Sequence, residues 1–147
     1  MLAYGAKLYR IRGFGIDAKI SDRVIECLRI LASRPTAQMQ ISAFAYCPVG
    51  MSGVKSVGLE LAEQGPEPWD HIFCMAGGGG LVLAVARAYE QLYESGSVLQ
   101  LPRVECVQPV GNNTISGPLR TGLDMAQAIQ CTSKISGLRS EERRVGK

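Results

Sequence analysis

Long apolar runs are missing from this 147-residue sequence, and no stretch approaches the roughly 18 residues that a membrane span requires. Its first residues, Met1-Leu-Ala-Tyr-Gly-Ala-Lys7, lack the charged segment and long apolar core of a secretion signal. The expectation is a soluble protein that is not exported. Histidine is reduced to one, His71, beside Asp70 at the start of an apolar run. A surface or strand-end role suits it better than acid–base catalysis, which needs a partnered cleft position. Cys27, Cys47, Cys74, Cys106 and Cys131 are odd in number, widely spaced and mostly set among apolar residues. That spacing argues against a disulfide framework and a zinc cluster, and fits a reducing cytoplasm. Net charge is only +3, with much of the basic excess in Arg139, Arg143, Arg144 and Lys147, outside any nucleic-acid motif. Neither nucleic acid nor membrane is expected as a partner.

What is present is an alternation of strand and helix patterns. With 46% hydrophobic and 20% charged residues, the chain suits one globular domain or part of a larger unit. Residues 7–11 alternate and predict a strand ending at Gly13 and Gly15. Ile16, Ile20, Val24, Cys27, Leu28 and Leu31 recur at helical steps, and Pro35 stops that helix. Residues 41–46 predict a second strand. After a loop at Pro48, Gly50 and Gly53, the positions Val54, Val57, Gly58 and Leu61 form a helix face up to Gly65, Pro66 and Pro68. Residues 72–76, apolar on both faces, predict a strand of a covered parallel sheet. Leu81, Val85, Ala88, Tyr89 and Leu92 keep helical spacing to Ser95-Gly96, and residues 104–108 predict a fourth strand. Strands alternating with helices imply an α/β fold, a three-layer α/β/α sandwich with a mostly parallel sheet. Beyond Gly111 the pattern predicts a loop and a short helix over 123–129. Residues 139–147 are charged, have no apolar face and predict an unstructured tail.

The chemistry concentrates at Gly77, Gly78, Gly79 and Gly80, between the strand at 72–76 and the following helix. Glycines open unusual dihedrals and let a ligand approach the backbone without meeting a Cβ. The first N–H groups of the helix have no intrahelical partner, and its dipole places partial positive charge there, so the turn is suited to a phosphate. It also falls at the carboxyl end of a parallel strand, where open α/β sheets bind ligands. The alternative is a plain connection, for which one glycine suffices. A dinucleotide G-x-G-x-x-G would need glycine at Val82 or Leu83, and a Walker A loop would need Gly-Lys-Ser/Thr where Leu81-Val-Leu stands. Lys55 and Lys134 read as solvated amines, Cys74 as a packed thiol and Trp69 as a packing residue at a loop edge.

With these residues in view, the chain resembles the fold type II pyridoxal-phosphate enzymes, closest in pattern to threonine synthase and its relatives. The resemblance spans about residues 2–138. It rests on Tyr4-Gly-Ala-Lys-Leu8, on Pro48 to Ser56, and on the glycines followed by Pro102-Arg-Val-Glu-Cys-Val-Gln108. The second segment is similar to Asn-Pro-x-x-x-Glu-Gly-x-Lys-Thr: it keeps Pro48, Gly53 and Lys55, has Ser56 for the threonine, and departs at Cys47 and Ser52. The resemblance implies pyridoxal 5'-phosphate as cofactor, with Gly77, Gly78, Gly79 and Gly80 holding its phosphate through backbone amides. It implies elimination or replacement on an amino-acid substrate, a homodimer, and no catalytic role for Lys55 or Lys134. It further implies residues 1–46 as the end of a small-domain-like β-α-β segment and 47–138 as part of the large cofactor domain. The family's Schiff-base lysine and Gly-Asn turn precede the matched pattern, and its Ser or Thr facing the pyridine nitrogen follows Leu138. On that basis the chain is expected to be an internal fragment. Two other readings stand beside this one. One is a nucleotide- or sugar-phosphate-binding domain, which calls for an acidic residue at the end of the next strand, where Gln108 stands and Glu105 lies inside the strand. The other is a noncatalytic ligand-binding homologue.

Overall fold

The computed structural model describes residues 2–15, 17–65, 68–127, 129 and 132, and forms two compact units, Met1–Met39 and Gln40–Lys147. In the first unit the expected helix forms as α1, Ala18–Ala32. Asp17 starts it by accepting hydrogen bonds from the N–H groups of Lys19 and Ile20 at 2.9 and 3.2 Å, satisfying donors that a helix start leaves open. Its helical spacing is real, yet none of its residues is fully buried. The strand expected over 7–11 does not form: these residues are exposed and join no ladder among the described residues. Alternation cannot supply a strand without a partner for its backbone groups.

The second unit opens with another correction. Residues 41–46 make turns in place of a strand, because the N–H groups of Tyr46 and Cys47 both reach back to the Ala43 carbonyl at 2.9 Å. The Arg87 guanidinium lies 5.3 Å from the Phe44 ring centroid and ties this turn to a later helix. The segment expected to be a loop is helical: α2, Pro48–Ser52, begins with proline where no N–H is needed and runs through a 3₁₀ turn into α3, Ser56–Gln64. Trp69 then stops α3, its indole Nε1–H donating to the Leu61 carbonyl at 3.0 Å while its ring occupies the space a side chain at Gly65 would need.

Strands β1, His71–Met75, and β2, Arg103–Val107, pair in parallel, with Cys74 opposite Cys106. Between them runs α4, Gly80–Glu94, ending at Ser95 and left-handed Gly96. This β-α-β unit bears out the α/β class and its parallel sheet. Cys74, Val85 and Tyr89 form the core, flanked by Ala62, Ile72, Val82, Leu92 and Val104. Phe73 and Met75 point to the other face of the sheet and are 69% and 57% exposed. The short helix expected over 123–129 comes earlier, as α5, Ser116–Arg120. Pro118 is tolerated in its first turn, where N–H groups have no intrahelical acceptor, and left-handed Gly122 follows its end. The tail at 139–147, Cys131 and Lys134 lie outside the described residues. Among those described, no helix is long and apolar enough to cross a membrane.

Candidate functional site

The carboxyl ends of β1 and β2 lie side by side, and each leads into a polar or glycine-rich segment. From β1 the chain passes Ala76 and bends through Gly77 and Gly78 to Gly79, which adopts φ +80° and ψ 1° and serves as the cap of α4. Glycine is needed there because L side chains rarely enter that region. No side chain caps this helix start. The N–H groups of Gly80, Leu81 and Val82 therefore lie at a helix start with no intrahelical acceptor, and the dipole adds partial positive charge. A Cβ at Gly78 would meet no atom within 4 Å, so open space fronts the turn. Gly79 and Gly80 are walled instead: added Cβ atoms would come within 2.9 Å of Ile115 Cδ1 and 2.7 Å of Met51 Cε. The result is an apolar-walled, uncapped helix start with one open side, a shape that suits a phosphate group.

Gln108, immediately after β2, joins this turn to the second segment. Its Nε2 donates toward the carbonyl oxygens of Ala76 and Gly77, both at 3.3 Å, and toward Thr114 Oγ1 at 3.2 Å. Its Oε1 accepts from the N–H groups of Ile115 and Ser116 at 2.8 and 2.9 Å. The partners fix the amide orientation, since a flip would set donors against donors and acceptors against acceptors. Asn112 and Thr114, both buried, complete a packed polar loop beside the turn. Sequence named Gln108 only as the residue at a strand end and gave no role at the turn to it, to Ile115 or to Met51. The available signal for Gln108 was a polar residue at the carboxyl end of a strand next to the glycine-bearing one, where ligand crevices form.

The remaining candidates are placed elsewhere. His71 Nδ1 lies 2.9 Å from Glu105 Oε1 and its ring stacks on Phe73 at 6.1 Å, at the opposite end of β1 from the glycines. Lys55 Nζ donates to Gln91 Oε1 at 3.2 Å, and Gln91 stands roughly 16 Å along the helix axis from Gly80 at the usual rise per residue. Cys74 is packed in the core, where burial pushes its thiol pKa up, so it is a poor nucleophile. Burial raises the Cys106 pKa as well, and the neighbouring Cys74 adds to the effect. Among the described residues no three His, Cys, Asp or Glu side chains cluster as metal ligands. An open depression of about 540 Å³, lined by Asn113, Pro118, Arg120, Thr121 and Gln127 among others, includes none of the four glycines in its lining.

Compared with known proteins, residues 1–146 match the family described as pyridoxal-phosphate dependent enzyme. No curated protein and no solved structure matches the chain.

Proposed function

The chain belongs to the pyridoxal-phosphate dependent enzyme family, and on that premise we propose that Gly77, Gly78, Gly79 and Gly80 anchor the phosphate of its cofactor. The observation that carries this reading is the uncapped start of α4 behind left-handed Gly79, with open space at Gly78. The backbone N–H groups of the turn and of Leu81 supply hydrogen bonds, and the helix dipole supplies the charge complement. Ile115 and Met51 wall Gly79 and Gly80, while the space at Gly78 is open. When bound, pyridoxal phosphate provides an electron sink for carbanions formed from amino acids. The chain's own part is to hold the phosphate in one place.

The finer reading is a lyase or synthase of threonine synthase-like type, acting on an amino acid by elimination or replacement, supported by the motif resemblance at Pro48, Gly53, Lys55 and the glycines. On this reading residues 1–147 supply the phosphate anchor, and the cofactor lysine comes from a segment outside them. The bond from Lys55 to Gln91, far along α4 from the turn, supports keeping Lys55 out of that role.

The test is a titration of the purified chain with pyridoxal phosphate, repeated with inorganic phosphate as competitor and with Gly78→Asp. Saturable binding that phosphate displaces and that Gly78→Asp abolishes is the expected result. The aspartate should fit sterically, since a Cβ at Gly78 meets no neighbour, while its charge repels an anion. A folded chain that binds no pyridoxal phosphate sinks the assignment. Binding that inorganic phosphate does not displace removes the turn as the anchor.

A further inference from the structure

Gln108 is half-buried, and its amide is used on both faces: a donor side toward the carbonyls at the start of the glycine turn, an acceptor side toward the N–H groups of Ile115 and Ser116. Its NH₂ has two hydrogens for three acceptors, Ala76 O, Gly77 O and Thr114 Oγ1, so one is shared; its carbonyl oxygen takes one N–H on each lone pair. Ala76 is itself fixed from the same strand end, its N–H donating to the Val107 carbonyl at 2.9 Å. Beyond Ala76 and Gly77 the chain has only glycines until α4, and glycines lose more conformational freedom on ordering than any other residue. The carbonyl oxygens held by Gln108 thus flank the point where the backbone passes from a restrained strand to a free one. The segment on the other side of the amide carries Ile115, whose side chain borders Gly79.

From this arrangement we infer that Gln108 is the positioning residue of the phosphate turn, holding residues 77–80 preorganised and coupling them to the segment at 114–116. The inference rests on the cofactor-phosphate reading of the turn for its functional meaning, but the coupling itself is a property of the ligand-free chain. A preorganised turn binds an anion without ordering its glycines at the moment of binding.

The two sides of the amide can be separated experimentally. Gln108→Glu keeps the acceptor for Ile115 and Ser116 and replaces the donor with an oxygen facing two carbonyls. Gln108→Leu removes both sides at similar volume. Backbone ¹⁵N order parameters of the unsubstituted chain and both variants, without ligand, are the primary readout, and inorganic phosphate affinity is the second. In the unsubstituted chain the turn should show the ~0.85 of rigid backbone, and in both variants residues 77–80 should fall toward ~0.6. Ile115 and Ser116 should loosen in Gln108→Leu alone, with the buried residues of α4, Ala84, Val85, Ala88 and Tyr89, unchanged in both. Phosphate affinity should fall about tenfold in each variant. Turn order parameters that do not change overturn the inference, as does loosening of the turn and α4 together, which would make Gln108 a general structural residue. If the unsubstituted chain binds no phosphate while the order parameters shift as expected, the coupling holds and the functional reading fails. If it binds phosphate and the turn is unmoved by either variant, the reading holds and the role of Gln108 fails.

Discussion

Adjacent glycines in the turn answer to different constraints. Gly79 needs its hydrogen because of backbone conformation, at φ +80°, and because Ile115 lies close. Gly78 has no positive φ and no neighbour near its missing Cβ. Gly79→Ala is therefore expected to cost about 1–2 kcal/mol of stability, mostly from the left-handed conformation, because the Ile115 methyl is the end of a flexible side chain. Gly78→Ala is expected to leave stability within about 1 kcal/mol, or to raise it slightly by restricting the unfolded chain. It should nevertheless weaken pyridoxal-phosphate binding, since its methyl projects into the open space in front of the helix start. Thermal unfolding and cofactor titration of the two variants check this, and equal effects on both measurements would contradict it. The glycine run was legible in sequence as a candidate phosphate turn because four glycines exceed what a connection needs. Which glycine carries the strain was not legible, because φ at each is set by how β1, α4 and Ile115 meet. The bridging role of Gln108 was hidden for the same reason: its partners at residues 76, 77 and 114–116 come together only through the pairing of β1 with β2.

Between α3 and α4 the packing is limited by backbone. An added Cβ at Gly58 would stand 2.6 Å from Ala88 Cβ, 3.3 Å from the Val85 carbonyl oxygen and 3.4 Å from Val85 Cα. Gly58→Ala should gain about 1 kcal/mol of helix propensity. It should lose more than that to overpacking, typically about 1–3 kcal/mol, because the backbone atoms of fully buried Val85 cannot step aside. The expected outcome in denaturant unfolding is a net loss, part of which Ala88→Gly in the same chain restores by removing the shortest contact. A fully additive double variant would mean that the two helices do not meet at these positions. The spacing of Val57, Gly58 and Leu61 made α3 legible, and that of Val85, Ala88, Tyr89 and Leu92 made α4 legible, each ended by glycine or serine. Segments 7–11, read from alternation, and 41–46 misled because sequence pattern is a local signal, whereas a strand exists only with a hydrogen-bonding neighbour. In 41–46, local turns to Ala43 and the Arg87–Phe44 contact won over extension. Helix α5 was missed because Gly117 and Pro118 read as loop formers, though a proline in a first turn costs no hydrogen bond.

Across the larger unit, the β-α-β core is a small group of side chains that includes Cys74, and half-buried Cys106 stands opposite it on the paired strand. Burial raises both pKa values above the ordinary 9.0, and Cys106 is raised further by its neighbour, so the folded state holds its thiol protons more tightly than the unfolded chain does. In the range between the unfolded and folded values, the unfolded chain has already released protons that the folded chain retains. Unfolding then releases protons, and rising pH favours the unfolded state. The thiol contribution is complete below about pH 9 and is lost as pH climbs through the raised folded values. The thermal midpoint should accordingly decline above about pH 9. Replacing both cysteines by alanine should lower the midpoint at neutral pH, through lost packing, while flattening its alkaline decline. Alkylation followed by peptide mass mapping provides the companion measurement: at pH 8, among the four described cysteines, exposed Cys27 should react first and Cys74 last, because thiolate fraction and access both fall with burial. If Cys74 is modified as fast as Cys27 in a chain that still unfolds cooperatively, or the double variant keeps the alkaline slope of the parent, the core does not depend on this neutral thiol pair.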